Sequence, residues 1–166
     1  MKAVGDVFCV GDRIVHPMHG AGVIDSIVEQ RVNGRNLCYY VLRMPIGNML
    51  VMIPIEGCND IGVRPVINEE RALEVLALIP NVEIDMTANW NRRYRENMLR
   101  IKSGDLIEVA KVVKGLKARE QERGLSTGER KMLHSAKQIL ISELVLALKS
   151  DYEQVEGKID GMFTVV

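Results

Sequence analysis

Aromatic side chains are scarce in this 166-residue chain, with two Phe, four Tyr and a single tryptophan, Trp90. Cysteine is nearly absent too. Cys9, Cys38 and Cys58 are odd in number and share no metal-like spacing, which argues against a disulfide framework and fits a reducing cytoplasm. No stretch approaches the roughly 20 apolar residues a membrane span needs. The N-terminus has no basic region followed by an apolar run, so no secretory signal is expected. A soluble cytoplasmic protein with no membrane association is the expectation. Formal net charge is zero, which by itself speaks against a general polyanion binder. Residues 1–7 and 157–166 carry no strong pattern and read as extensions.

Catalytic signatures are missing as well. Gly20-Ala21-Gly22 precedes a strand instead of following one, which fails the dinucleotide pattern, and no phosphate-cradling G-x-x-x-x-G-K-[ST] occurs. Cys9, His16 and His19 lack an evident fourth metal ligand. Cys58 lies near Asp60 with His134 distant in sequence, but nothing marks any of them as activated. Glu69 and Glu70 sit at a helix start, where the helix dipole accounts for them. No cofactor and no metal ion are expected, and an enzyme built on Cys or His is the weakest reading.

What is present falls into two halves. Residues 13–16, 22–28, 37–44, 49–53 and 61–66 are short runs rich in Val, Ile, Leu and Tyr, separated by turn signals such as Asn33-Gly34. Without helical crossovers, these strands predict a small antiparallel barrel or half-barrel. From Asn68 the apolar period becomes helical. Asn68, then Thr87 or Asn89, then Asp105 and Ser126 stand where helix N-caps belong, and Ser126-Thr127-Gly128-Glu129 forms a capping box. Strands first and helices after imply an α+β chain of segregated units, with a boundary near residues 66–70.

Charge is unevenly spread. Residues 92–137 hold thirteen Lys/Arg against six Asp/Glu, a net of +7, in an otherwise mildly acidic chain. At the head of this stretch Trp90 is followed by Arg92, Arg93 and Arg95. Trp90, Tyr94, Met98 and Ile101 recur at helical spacing, so the stripe reads as core with Trp90 its first member. The competing reading is a ring clamped by Tyr94 that presents its outer edge to a partner. Aromatic rings wedge between or stack on bases while arginines hold phosphates. The pattern leaves both readings open.

Several ordered segments resemble the CarD/CdnL-type bacterial transcription regulators, over roughly residues 8–148. They are VGDRIVHPMHGAG at 10–22, Gly62-Val63-Arg64, NWNRRYR at 89–95, SGD at 103–105 and REQERGLSTGERKM at 119–132. The opening segment is also similar to the polymerase-binding module of transcription-repair coupling factors, whose translocase motifs this chain lacks. The resemblance implies a Tudor-like barrel over residues 8–67 that docks on the RNA polymerase β subunit, partly by edge-strand pairing. It implies a helical DNA-contacting domain over 68–150, and leaves 151–166 as a tail without packed structure.

By the same resemblance, Trp90 is a wedge in the minor groove at the upstream edge of the promoter bubble. Arg92, Arg93 and Arg95 hold flanking phosphates, and Arg130 and Lys131 match a further basic position. The candidate polymerase edge is Met49, Leu50, Val51 and Met52, with Gln30 and Arg31 near the preceding hairpin. Some relatives carry an arginine where this chain has Met52. A monomer is expected, with a strand-swapped dimer left open. The rival reading is an adaptor whose barrel binds a protein partner and whose helices are purely structural.

Overall fold

Short β-branched runs separated by turn residues pair into one antiparallel sheet. The computed structural model describes residues 8–84 and 89–163. Its strands are β1 (Arg13–His16), β2 (Gly20–Val32), β3 (Arg35–Arg43), β4 (Leu50–Pro54) and β5 (Arg64–Pro65), in the order β4-β3-β2-β1-β5. Asn33 and Gly34 both take positive φ, 52° and 79°, which suits a two-residue turn matched to strand twist. The β2–β3 hairpin therefore runs longer than the apolar pattern alone indicated, with its tip out in solvent. Only Arg64–Pro65 of the last expected strand pairs, because residues 57–62 are spent in turns.

One face of the sheet buries Phe8, Ile14, Ile24, Tyr40, Leu42, Met44, Ile53, Cys58 and Val63. Tyr40 is sealed in this core, and its hydroxyl accepts the Phe8 N–H at 2.7 Å, so the polar end of the ring has a partner. Burial pushes the Cys58 thiol above its usual range, helped by nearby Asp60. That is the opposite of an activated nucleophile. Cys9 and Cys38 are exposed. An aromatic disulfide reagent is expected to titrate two thiols quickly in the native protein and the third only on unfolding; three fast thiols would contradict the buried Cys58.

The second half holds α1 (Glu69–Leu78), a 3-10 turn at Ile79–Asn81, α2 (Trp90–Lys102), α3 (Leu106–Arg123), α4 (Thr127–Leu148) and α5 (Tyr152–Met162). Each helix starts on a side-chain cap. Asn68 accepts from Arg71 N, Asn89 from Arg92 N, Asp105 from Ile107 N, Ser126 from Glu129 N and Asp151 from Glu153 N. Thr87, the alternative cap for α2, lies outside the described residues. Val109, Val112, Val113 and Leu116 of α3 pack with Ala136, Leu140 and Leu144 of α4 at the centre of the bundle.

The expectation of an unpacked tail from residue 151 is corrected. Val155, Ile159 and Phe163 of this segment are buried in the bundle core, and Asp160 accepts Lys117 Nζ at 2.7 Å and lies 3.1 Å from Lys137 Nζ. Spacing of four, repeated once, gives α5 a narrow apolar stripe. Gly157, Gly161 and the surrounding charge concealed it.

The two halves are locked together through α4. It is buried on nearly every side from Ile139 to Val145, since helices flank one face and the sheet lies on the other. Glu143 is 0% exposed, and its carboxylate accepts Arg64 Nη1 at 2.6 Å, Arg64 Nη2 at 2.8 Å and Ile67 N at 3.0 Å. Arg64 Nη2 also reaches the Gly104 carbonyl at 2.9 Å. One guanidinium thus ties the sheet's last strand to α4 and to the junction between α2 and α3. Ser142 Oγ accepts the Ala21 N–H, Gln138 donates to the His19 carbonyl, and Arg13 donates to the Leu146 carbonyl.

Candidate nucleic-acid interface

Asn89 caps α2 and places Trp90 at its first position. The indole is 43% exposed, so it is neither sealed in the core nor loose in solvent. Its ring stacks on Tyr94, one turn further on, with centroids 5.1 Å apart and planes 20° from parallel. Its N–H donates to Ser126 Oγ at 3.2 Å. Through that bond the start of α4 adjoins the start of α2. Arg130 and Lys131, both exposed, therefore belong to the same end of the bundle as Trp90.

The arginines that follow Trp90 divide by face. Arg92 is exposed and pairs with Glu96 at 3.0 Å, one turn along. Such surface pairs contribute little and release easily. Arg95 is exposed as well. Arg93 departs from its expected role. It is 5% exposed and points inward, with Nη2 at 3.4 Å from Glu129 Oε2. The fully buried row of α2 is Arg93, Asn97 and Ile101. Two polar residues hold buried positions that apolar periodicity did not register, while Tyr94, Met98 and Ile101 of the expected stripe pack against the core. Arg93 serves the bundle, and the outward cations are Arg92 and Arg95. Arg130 spends donors on the Leu125 carbonyl, at 3.2 and 3.4 Å, and closes the loop before α4.

On the sheet, β4 is an edge strand that among the described residues pairs with β3 alone. Met49, Leu50 and Met52 are exposed, Val51 is half-buried and Ile53 is buried. The alternation expected of an edge strand with one dry face is therefore present. Gln30 and Arg31 are exposed near the hairpin tip, opposite Leu37 and Asn36, whereas β4 ends opposite Tyr39. They lie on β2, two strands inward from β4 and beyond its end, so they do not form one continuous edge with residues 49–52.

The His16 and His19 rings lie 4.5 Å apart. Burial, and then the neighbouring His19, hold His16 below the usual imidazole range. Among the described residues no group of three or more His, Cys, Asp or Glu could hold a metal ion, and no helix is long and apolar enough to cross a membrane. Sequence reasoning missed the bond from Trp90 to Ser126, the contacts of Arg93 and Arg119 with the Glu129 carboxylate, and the Arg64–Glu143 pair. The capping box signalled the Ser126–Glu129 contact and none of these.

Fold and site together define a two-unit chain in which an antiparallel sheet, with β4 along one edge, is locked to a bundle tipped by a basic, tryptophan-headed helix. Comparison with known proteins agrees. Residues 8–67 match the CarD-like/TRCF RID domain, and residues 74–160 match the CarD C-terminal domain. The chain is 40% identical over 138 residues to the putative transcription factor YdeB of Bacillus subtilis (strain 168), covering 83% of this chain and 90% of that protein. The chain belongs to the CarD family.

Proposed function

We propose that this chain is a transcription factor that docks on the RNA polymerase β subunit through the β4 edge and stabilises the open promoter complex. In this reading Trp90 wedges into the minor groove at the upstream bubble junction. Arg92, Arg95, Arg130 and Lys131 hold phosphates around it. The observation that carries the proposal is the state of Trp90, an indole fixed by two neighbours and still 43% exposed beside outward cations.

The energetics favour a junction over intact duplex. A base step at the bubble edge is already half unstacked, so insertion there avoids much of the usual penalty. Stacking of a base on an aromatic ring is worth about 1–3 kcal/mol. Because that contact exists only when the DNA is open, it shifts the open–closed equilibrium instead of merely tightening binding. A few phosphate contacts give weak, salt-sensitive affinity. Docking on polymerase supplies the local concentration, which is consistent with a chain of zero net charge. Contacts of this kind read little sequence, so the effect extends over many promoters.

Trp90→Ala is the test. Affinity for polymerase is expected to stay unchanged while open-complex lifetime falls roughly tenfold or more, measured by competitor-challenged dissociation. An unchanged lifetime would sink the wedge and leave the adaptor reading, in which the sheet alone does the binding.

A further inference from the structure

Ser126 is named above as the N-cap of α4, yet its hydroxyl is arranged for a second task. A serine hydroxyl offers one hydrogen and two lone pairs. Here the hydrogen goes to Glu129 Oε1 at 3.3 Å, while the oxygen accepts Glu129 N at 3.2 Å and Trp90 Nε1 at 3.2 Å. All three capacities are used, and one of them reaches across to another helix. Glu129 is itself buried, with Arg93 at 3.4 Å and Arg119 at 3.6 Å from its carboxylate oxygens. The direction of the Ser126 hydroxyl is thus set from inside the bundle. A chain of polar contacts runs from two buried or half-buried guanidiniums through one carboxylate and one hydroxyl to the indole.

Without that chain the indole would be poorly fixed. Trp90 is the first residue of α2, with no preceding helical turn to restrict its χ1. Tyr94 supplies a face to lie on, but stacking alone allows the ring to slide and rotate in its plane. The hydrogen bond at Nε1 removes that freedom by pinning one edge. Gly128 completes the seat, since a Cβ there would lie 3.8 Å from both Trp90 Cζ2 and Tyr94 Cε2. The backbone of α4 therefore passes close under the paired rings.

We infer that Ser126 is the positioning residue of the Trp90 wedge: it holds the ring in one orientation before DNA is met, so that insertion does not have to order it. The inference rests on the wedge reading above and adds a residue to it. Immobilising a rotamer-rich side chain on binding costs enough that losing pre-organisation changes affinity roughly two- to tenfold.

Ser126→Gly is the variant of choice, because glycine at an N-cap costs the helix only a few tenths of a kcal/mol while removing the hydroxyl. Ser126→Thr restores an oxygen. Trp90 is the chain's only tryptophan, so its fluorescence reports on the ring directly. With Ser126→Gly, acrylamide quenching is expected to rise, emission anisotropy to fall, and open-complex lifetime to shorten roughly two- to tenfold. Polymerase affinity is expected to hold, and Ser126→Thr to return all three readouts toward the parent.

Unchanged quenching and anisotropy in Ser126→Gly would overturn the proposal. So would a looser ring with a longer lifetime, which would make Ser126 a restraint instead of a guide. A short lifetime in Trp90→Ala with a normal one in Ser126→Gly removes the positioning role alone. A normal lifetime in Trp90→Ala removes the wedge and the positioning role together.

Discussion

Arg64→Ala is expected to destabilise the protein by about 3–5 kcal/mol, the cost typical of stranding one member of a buried ion pair. The carboxylate left behind is Glu143, which is 0% exposed and would keep only the Ile67 N–H as a donor. The reverse deletion should cost less. The Arg64 side chain is 31% exposed, and it would keep the Gly104 and Pro65 carbonyls while turning toward water. The order, Arg64→Ala worse than Glu143→Ala, is the discriminating part, and urea unfolding of the two variants measures it. Replacing both with apolar residues, as Arg64→Met with Glu143→Leu, should recover most of the loss. Losses below about 1 kcal/mol in both single variants, the level of a surface pair, would show that the pair is solvated and does not lock the halves.

Gly20→Ala is the second large effect, expected at about 2–4 kcal/mol from backbone strain and overpacking together. Gly20 has φ +100°, and a Cβ built there falls 2.5 Å from Ser142 Oγ, 3.2 Å from Ile139 Cα and 3.3 Å from the Gln138 carbonyl oxygen. The nearest atom is a side-chain oxygen, but it is not free to move. Ser142 Oγ accepts the Ala21 N–H at 2.9 Å and donates to the Ile139 carbonyl at 3.2 Å. The other two atoms are backbone of α4. Ser142→Ala should therefore fail to rescue Gly20→Ala, and thermal unfolding of the single and double variants reads this. Full rescue would mean that the sheet and α4 approach less closely than the geometry shows.

The parts of this molecule that were legible in the sequence are those decided within a few residues. Asn33-Gly34 fixes its hairpin because both residues accept positive φ. The caps at Asn68, Asp105 and Ser126 announce their helices because each side chain satisfies an amide two or three residues on. Switching from strand-like to helical apolar spacing marks the division into a sheet and a bundle. What stayed hidden depends on partners far along the chain. Arg64 and Glu143 are 79 residues apart, and neither looks unlike an ordinary surface charge. Arg93 occupies an inward position on α2 opposite the Glu129 carboxylate, and Asn97 accepts from Arg100 on the same helix, circumstances that no apolar count registers. For the same reason Trp90 looked like the first residue of a core stripe. Tyr94, Met98 and Ile101 do pack against the core, but the helix turns Trp90 to its rim.

The middle of α4 has no solvent side, and this bears on how such chains can be recombined. By sequence match the sheet is a module that ends near residue 67. By chemistry it ends at a carboxylate on the far helix. A sheet of this kind grafted onto an unrelated partner would bring a guanidinium in search of an anion, and the orphaned bundle would be left with an oily strip interrupted by a bare negative charge. Inheritance can cut the chain where the alignment cuts it, but only a recipient that already offers a matching acid at the seam would accept the graft.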